Sequence, residues 1–226
     1  GTMVNLLLLL VAIPSIANNR FNRMADDEAK AILASIHNTE KTYVTKEMLY
    51  GLQKKKKKWL THSGIIGKEK INTIRLKQKG EMRTKPESKW MPFEATQYFT
   101  VNEPAFVWTT DVQMMPFIKL VGWDKFENSQ GAMVIKLLSL FKVADAKNTE
   151  KINSAAMIRY LAESSWFPTA ALSEYIKWET VDSLSAKATM NFKGLTVSGI
   201  FHFTADGDML AFSADRFYGT GKDATK

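Results

Sequence analysis

The sequence predicts an α+β fold: one large curved antiparallel β-sheet, a half-barrel of about nine strands, with helices packed on its concave face. Three observations predict it. From residue 71 onward apolar residues recur with period two in one run after another. The runs are joined by short, turn-rich connectors, and short connections impose antiparallel neighbours, because a parallel return needs about a dozen residues or more. Helical periodicity is confined to residues 24–62 and to a midchain stretch at 149–165. A sheet this wide must curl or be covered, and the midchain helix is its natural cover. A curled sheet closed by a helix encloses an apolar space, which side chains fill or a ligand occupies. With 45% apolar residues, including 13 Phe, 6 Trp and 11 Met, the chain can fill a bulky core without disulfide staples.

Taken in order, Leu6 to Ile13 is an uninterrupted apolar run closed by Pro14-Ser15-Ile16-Ala17. It is too short for an untilted membrane span of about 20 residues. Its length suits a signal-peptide apolar region, with small residues before a possible cleavage point after Ala17, although no basic residues precede it. A membrane helix shortened at its start and a buried helix of the fold are the other readings. Residues 1–17 are therefore set apart as a signal-like or truncated membrane segment, and 18–226 as a single α+β domain. Within it, 24–37 is helical, with Asp26, Asp27 and Glu28 at its start and Ala29, Ile32, Leu33 and Ile36 as its stripe. A second helix is expected from Thr45, as N-cap, to His62, ended by Gly64.

Strand-like runs then cover 71–83, 92–101, 105–115, 117–127 and 130–143. In the second, Phe93, Ala95 and Phe99 share a face with Gln97; in the third, Phe106, Trp108 and Val112 do so together. After the helix of 149–165, capped by Thr149, four more runs follow at about 175–182, 185–192, 195–204 and 208–218. Lys193-Gly194 and Ala205-Asp206-Gly207-Asp208 are hairpin joints.

The net charge of +8 is uneven. Residues 41–90 hold 15 Lys/Arg against 4 Asp/Glu, a net of +11, centred on Lys54, Lys55, Lys56, Lys57 and Lys58. Such a run suits an anionic membrane surface or nucleic acid, or is simply a solvated helix face. Nucleic acid is disfavoured, because the basic segment spans a helix and a strand and carries no known motif.

The absence of cysteine excludes thiolate nucleophiles, disulfides and iron–sulfur clusters. The three histidines, His37, His62 and His202, fall on three different elements, so no metal site and no cofactor are expected. No Gly-x-Ser-x-Gly elbow is present. The run Gly64-Ile65-Ile66-Gly67-Lys68-Glu69 has the wrong spacing for a phosphate loop. No catalytic residue is assigned on these grounds.

The densest group of large polar and aromatic side chains is Arg159-Tyr160-Leu161-Ala162-Glu163-Ser164-Ser165-Trp166-Phe167-Pro168. Arg159 and Glu163 stand one helical turn apart, either as an exposed ion pair or as a polar anchor facing the enclosed space. Glu163 and Asp182 could both face the enclosed space as a glycosidase-like carboxylate pair.

From Trp59 to Tyr218 the chain resembles an uncharacterised bacterial domain family of unknown function. The resemblance rests on Trp59-Leu60-x-x-Ser63-Gly64, on Gln78-Lys79-Gly80-x-Met82-Arg83, and on Trp90-Met91-Pro92-Phe93-x-Ala95-x-Gln97-Tyr98-Phe99. It continues through Pro104-x-Phe106-Val107-Trp108, Arg159-Tyr160-Leu161-Ala162-Glu163-x-x-Trp166-Phe167-Pro168-Thr169-Ala170 and Trp178-Glu179-x-Val181-Asp182. It brings no known activity; it implies an envelope protein with an N-terminal hydrophobic segment. The strand-rich pattern is also similar to the lipoprotein-carrier half-barrels of the LolA and LolB type, which cup acyl chains between a curved sheet and helices. The resemblance implies further strands past the position of Arg216; against the Gly219-Thr220-Gly221-Lys222-Asp223 tail, the expectation is either that the C-terminal hairpin is absent or that the sequence is truncated.

The resulting expectation is a non-enzymatic binder of a lipid or acylated ligand at the bacterial cell envelope. Trp108, Trp123, Trp166 and Trp178 would line the site, with Arg159, Tyr160, Glu163 and Asp182 around the polar head. Lys54 to Lys58 would lie on anionic headgroups, each worth about 1 kcal/mol near the surface. The alternatives are an enzyme acting on an envelope lipid or glycan through Glu163 or Asp182, and a structural module with a filled core.

Overall fold

The computed structural model describes residues 2–36 and 40–216. Helix α1 runs from Thr2 to Ala34 without interruption, so the apolar run Leu6–Ile13 and the helix expected at 24–37 belong to one element that contains Pro14. Among the described residues no helix is long and apolar enough to cross a membrane.

The expected helix of 45–62 is two pieces. A 3-10 turn at Glu47–Leu49 ends before Gly51, whose φ of +72° leaves the helical region, and α2 then runs from Lys54 to His62. The Gln53 side chain, rather than Thr45, caps α2 by accepting from the Lys56 amide at 2.9 Å.

Among the described residues ten strands form two antiparallel sheets, and neither is closed. The first is a six-stranded meander of β1 (Thr73–Met82), β2 (Met91–Thr100), β3 (Ala105–Met115), β4 (Ile118–Glu127), β5 (Gln130–Leu137) and β6 (Phe141–Lys147). Helix α3 (Glu150–Glu163) follows. The second sheet holds β7 (Ile176–Thr180), β8 (Ser185–Phe192), β9 (Leu195–Phe203) and β10 (Met209–Ser213), in the order β10-β9-β8-β7. The expected single sheet of about nine strands therefore differs in two ways. The run 130–143 is a hairpin, folded back at Leu138 and Ser139, which take φ values of 53° and 61°. Helix α3 also separates β6 from β7, so the sheet is divided. The joints at Asn128-Ser129 and Lys193-Gly194 take the same left-handed backbone. The expected run 208–218 is strand only at Met209–Ser213, and the calls on Tyr218, on the tail after it and on His37 lie outside the described residues.

The helices occupy both faces of the six-stranded sheet, not one. Phe21, Ala25, Ala29 and Ile32 form a stripe along α1 that packs on Ala105, Val107, Val121 and Trp123. The other face carries Phe99, Phe106 and Phe126, which meet Met157, Tyr160 and Leu161 of α3. Gly131 makes this approach possible: a Cβ there would stand 2.6 Å from the Ile152 carbonyl oxygen and 2.9 Å from the Ala156 Cβ. The same core extends to the second sheet through Phe201 and Phe203, and to α2 through Trp59 and Leu60. Phe99, Phe106, Phe126, Tyr160 and Phe167 are fully buried, so the space beneath α3, expected as a ligand cavity, is filled by the protein itself.

Candidate functional site

Register fixes which side chains stand together on the α3 face of the sheet, because directly paired residues of an antiparallel ladder point the same way. One row crosses the strands as Ile74, Phe99, Phe106, Phe126 and Gly131, and α3 covers it. The next row is Leu76, Gln97, Trp108, Asp124 and Met133. It meets the last turn of α3, where the backbone positions Arg159 and Glu163 on one side of the helix.

These residues form a continuous polar ladder. Trp108 Nε1 donates to Gln78 Oε1 at 2.8 Å, and Gln78 Nε2 donates to Gln97 Oε1 at 3.3 Å. Gln97 Nε2 donates to Glu163 Oε2 at 2.7 Å. Arg159 donates from Nε to Glu163 Oε1 at 2.9 Å and from Nη1 to Asp124 Oδ2 at 2.6 Å. Its guanidinium also lies about 5 Å from the ring centroids of Phe106 and Trp108. The three charged side chains are only 15–21% exposed. Burial raises the Asp124 carboxyl above the ordinary aspartate value, opposed by the charge and hydrogen bond of Arg159. Arg216, just after β10, adds a second positive charge to this group.

Beyond the ladder, among the described residues, the same face continues without a helix over it. The third row, Gln78, Ala95, Thr110, Gly122, Ile135 and Ala144, is mostly small. The fourth is Gly80, Phe93, Val112, Leu120 and Leu137. Phe93, Leu120, Met133, Ile135 and Leu137 are half-buried and belong to neither core cluster. The result is an apolar shelf that ends at a charged, hydrogen-bonded wall.

The structure brings together only part of the expected site. Arg159, Glu163 and Trp108 meet in the ladder. Trp166 is 51% exposed and touches the core edge-on at Phe99. Tyr160 is fully buried; its hydroxyl donates to the Thr100 carbonyl at 2.9 Å and touches Tyr175, which raises its pKa well above the ordinary value through burial. It is a core residue rather than a ligand contact. Trp123 lies on the opposite face, under α1, with its Nε1 buried and unpartnered. Trp178 packs in the second sheet against Trp59 and Phe201. Asp182 is exposed in the β7–β8 turn, where it accepts from the Leu184 amide at 2.7 Å, a bond that lowers its pKa. It is not bonded to Glu163, whose carboxylate neighbour across Arg159 is Asp124.

The lysine run is not a uniform charged face. Lys56 is buried, with Nζ 5.7 Å from the Trp178 ring, and burial lowers it to about 8. Lys58 donates to the Ala205 carbonyl and Lys57 lies over Tyr50. Lys54, Lys57 and Lys58 are exposed, and Lys55 is half-buried.

Gln78, Gln97 and Asp124 were missed as site residues. Their signal was a polar side chain on a strand face otherwise apolar, which costs free energy unless it is hydrogen-bonded. Among the described residues no three His, Asp or Glu converge as a metal site. Two open grooves flank these rows: one of about 590 Å³ beside α1, lined by Arg75, Lys77 and Asp111 and also by Gln78, Ala95 and Thr110, and one of about 780 Å³ between α3 and β9.

No curated protein and no solved structure matches the chain. Residues 52–226, from just before α2 to the end, match the profile of a family of unknown function, DUF6920. The match takes in α2, both sheets, α3 and every residue of the polar ladder, and the chain belongs to that family.

Proposed function

We propose that the protein binds a lipid or similar apolar ligand without chemistry, on the shelf formed by Phe93, Leu120, Met133, Ile135 and Leu137. In this reading the six-stranded sheet works as an open half-barrel, and the acyl chain takes the place of the helix that the shelf lacks. The single observation that carries it is that shelf: apolar side chains on one sheet face, outside both cores, running up to a satisfied polar wall. The wall sets Arg159 and Arg216 against Asp124 and Glu163. Two charges of each sign suit a zwitterionic or uncharged polar head better than a lone anion, which would have to displace a carboxylate from Arg159. Burying an acyl chain contributes about 0.8 kcal/mol per methylene, so a few turns of contact suffice. The cell envelope is the compartment this reading implies. Lys54 and Lys55 would still add attraction to an anionic membrane.

Native mass spectrometry of the purified protein tests it, together with titration of cis-parinaric acid and its displacement by extracted phospholipid. Bound lipid, and loss of probe binding in a folded Leu120→Gln/Ile135→Gln variant, are expected. Absence of lipid adducts and of probe binding would reject the reading and leave the structural module, which the filled space beneath α3 already favours.

A further inference from the structure

We infer that the end of the six-stranded sheet bearing the β1–β2, β3–β4 and β5–β6 connections is a membrane-docking surface, its hairpin tips entering a lipid bilayer beside the first half of α1. This inference stands on different residues from the ligand shelf and does not rest on it.

Three connections, 83–90, 116–117 and 138–140, emerge at this end of the meander, and they and the strand ends beside them carry its large exposed apolar residues: Trp90, Met114, Met115, Phe117, Leu140, Phe141 and Val143. The opposite end, with connections 101–104 and 128–129, has none among its exposed large apolar side chains. Phe117 is the extreme case. It follows Pro116 in a two-residue turn, takes φ 65°, and is 97% exposed. Glycine is the ordinary residue at such a position, since a side chain there is strained. A bulky aromatic ring held at the tip of a turn that disfavours it has no role in the fold.

Helix α1 points the same way. Ser35, just past its end, lines one groove with Pro104 and Ala105 at the far end of the sheet, and Asn18 accepts from Ser139 at 2.9 Å at the hairpin end. The helix continues for about four turns N-terminal to Asn18, so its first half passes beyond the sheet with the run Leu6–Ile13. Ile13 and Ile16 are exposed and line one groove with Leu140, which makes the apolar surface of the helix continuous with that of the tip. Cations lie at this surface: Arg20 and Lys136 line the groove with Leu140, Arg83, Lys85 and Lys89 lie in the 83–90 connection against Glu87, and Lys142 follows Phe141 and pairs with Asp145. Arg83 lies 4.7 Å from the Trp90 ring centroid, an amphipathic pair of the kind that settles at a membrane–water interface. Apolar tips inside a basic rim match an anionic bilayer, where one apolar helix of marginal length gains from a second point of insertion. The lysine-rich α2 packs on the second sheet instead, through Trp178 and Ala205.

The chain has no cysteine, so single cysteines report cleanly. The full chain carrying Phe117→Cys, Phe141→Cys or Tyr50→Cys is labelled with an environment-sensitive fluorophore. Each is mixed with phosphatidylcholine vesicles containing phosphatidylglycerol, with the fold checked by circular dichroism. The labels at 117 and 141 should shift to the blue and be quenched by lipids spin-labelled in the acyl chain, while the label at 50 stays in water. Unshifted labels at 117 and 141 would overturn the inference, whether α1 anchors alone or nothing binds. So would a shift at 50 in their place, which would assign the membrane to the lysine helix. A shift at 117 without vesicles that follows protein concentration would identify a second copy as the partner and overturn it equally.

Discussion

Arg159 Nη1 lies 2.6 Å from Asp124 Oδ2, which ties the end of α3 to the fourth strand through a charged pair that water scarcely reaches. The sequence placed Arg159 beside Glu163; the tertiary structure added a second carboxylate and so turned a local pair into a bridge between helix and sheet.

Arg159→Ala removes the cation that bonds both Asp124 and Glu163 and leaves two shielded carboxylates with only the charge of Arg216 near them. A loss of about 3 kcal/mol in urea unfolding is expected. The variant should recover part of it as pH falls, because an unpaired, raised carboxyl binds protons in the folded state that the unfolded chain does not yet hold. A loss below about 0.5 kcal/mol would show that the pair behaves as a surface bridge.

Lys56 supplies a pH dependence of opposite origin. Burial lowers its ammonium from the ordinary 10.5 to about 8. Between those values the folded protein holds fewer protons than the unfolded chain, so this site adds stability as pH rises through the window. Below it, the charged form is buried at full cost, offset in part by the Trp178 ring. Lys56→Met should therefore be more stable than wild type near pH 7, with the advantage shrinking toward pH 10.5. Denaturation curves of both proteins across that range check it; a constant difference would mean that Lys56 is solvated.

Gly131→Ala tests the closeness of α3 to the sheet. The new methyl would meet the Ile152 carbonyl and Ala156 below 3 Å, contacts on a rigid helix rather than on a flexible side-chain end. A cost of about 1–3 kcal/mol is expected from thermal or urea unfolding. An unchanged midpoint would show that α3 can lift without loss.

Trp108 and Trp123 separate the two faces of the sheet. Trp123→Phe removes an unpartnered indole N–H under α1 and should cost no more than about 1–2 kcal/mol, with probe binding unchanged. Trp108→Phe takes the donor from Gln78 and alters the wall of the shelf, so cis-parinaric acid binding should weaken. Equal effects of the two on binding would place the ligand elsewhere.

What the sequence by itself determined is local. Alternation marked the strands of both sheets apart from the division of β5 from β6, Lys193-Gly194 and Ala205-Asp206-Gly207-Asp208 marked two hairpins, and helical spacing set Arg159 and Glu163 on one side of α3. Each of these depends on neighbours within a few residues, where backbone geometry alone fixes which side chains share a face. The tertiary structure decided the rest. Leu138-Ser139 carries none of the Asn-Gly chemistry that announces a turn, and only pairing of β5 with β6 folds it back. Trp108 pairs with Asp124 while Trp123 pairs with Thr109, so two tryptophans one ladder step apart face opposite helices. Alternation assigns residues to two faces, but it does not say which face a given helix covers. That depends on long-range packing, which here set α1 over Trp123, set α3 over Phe106 and left Leu120 and Ile135 half-buried, with no described helix over them.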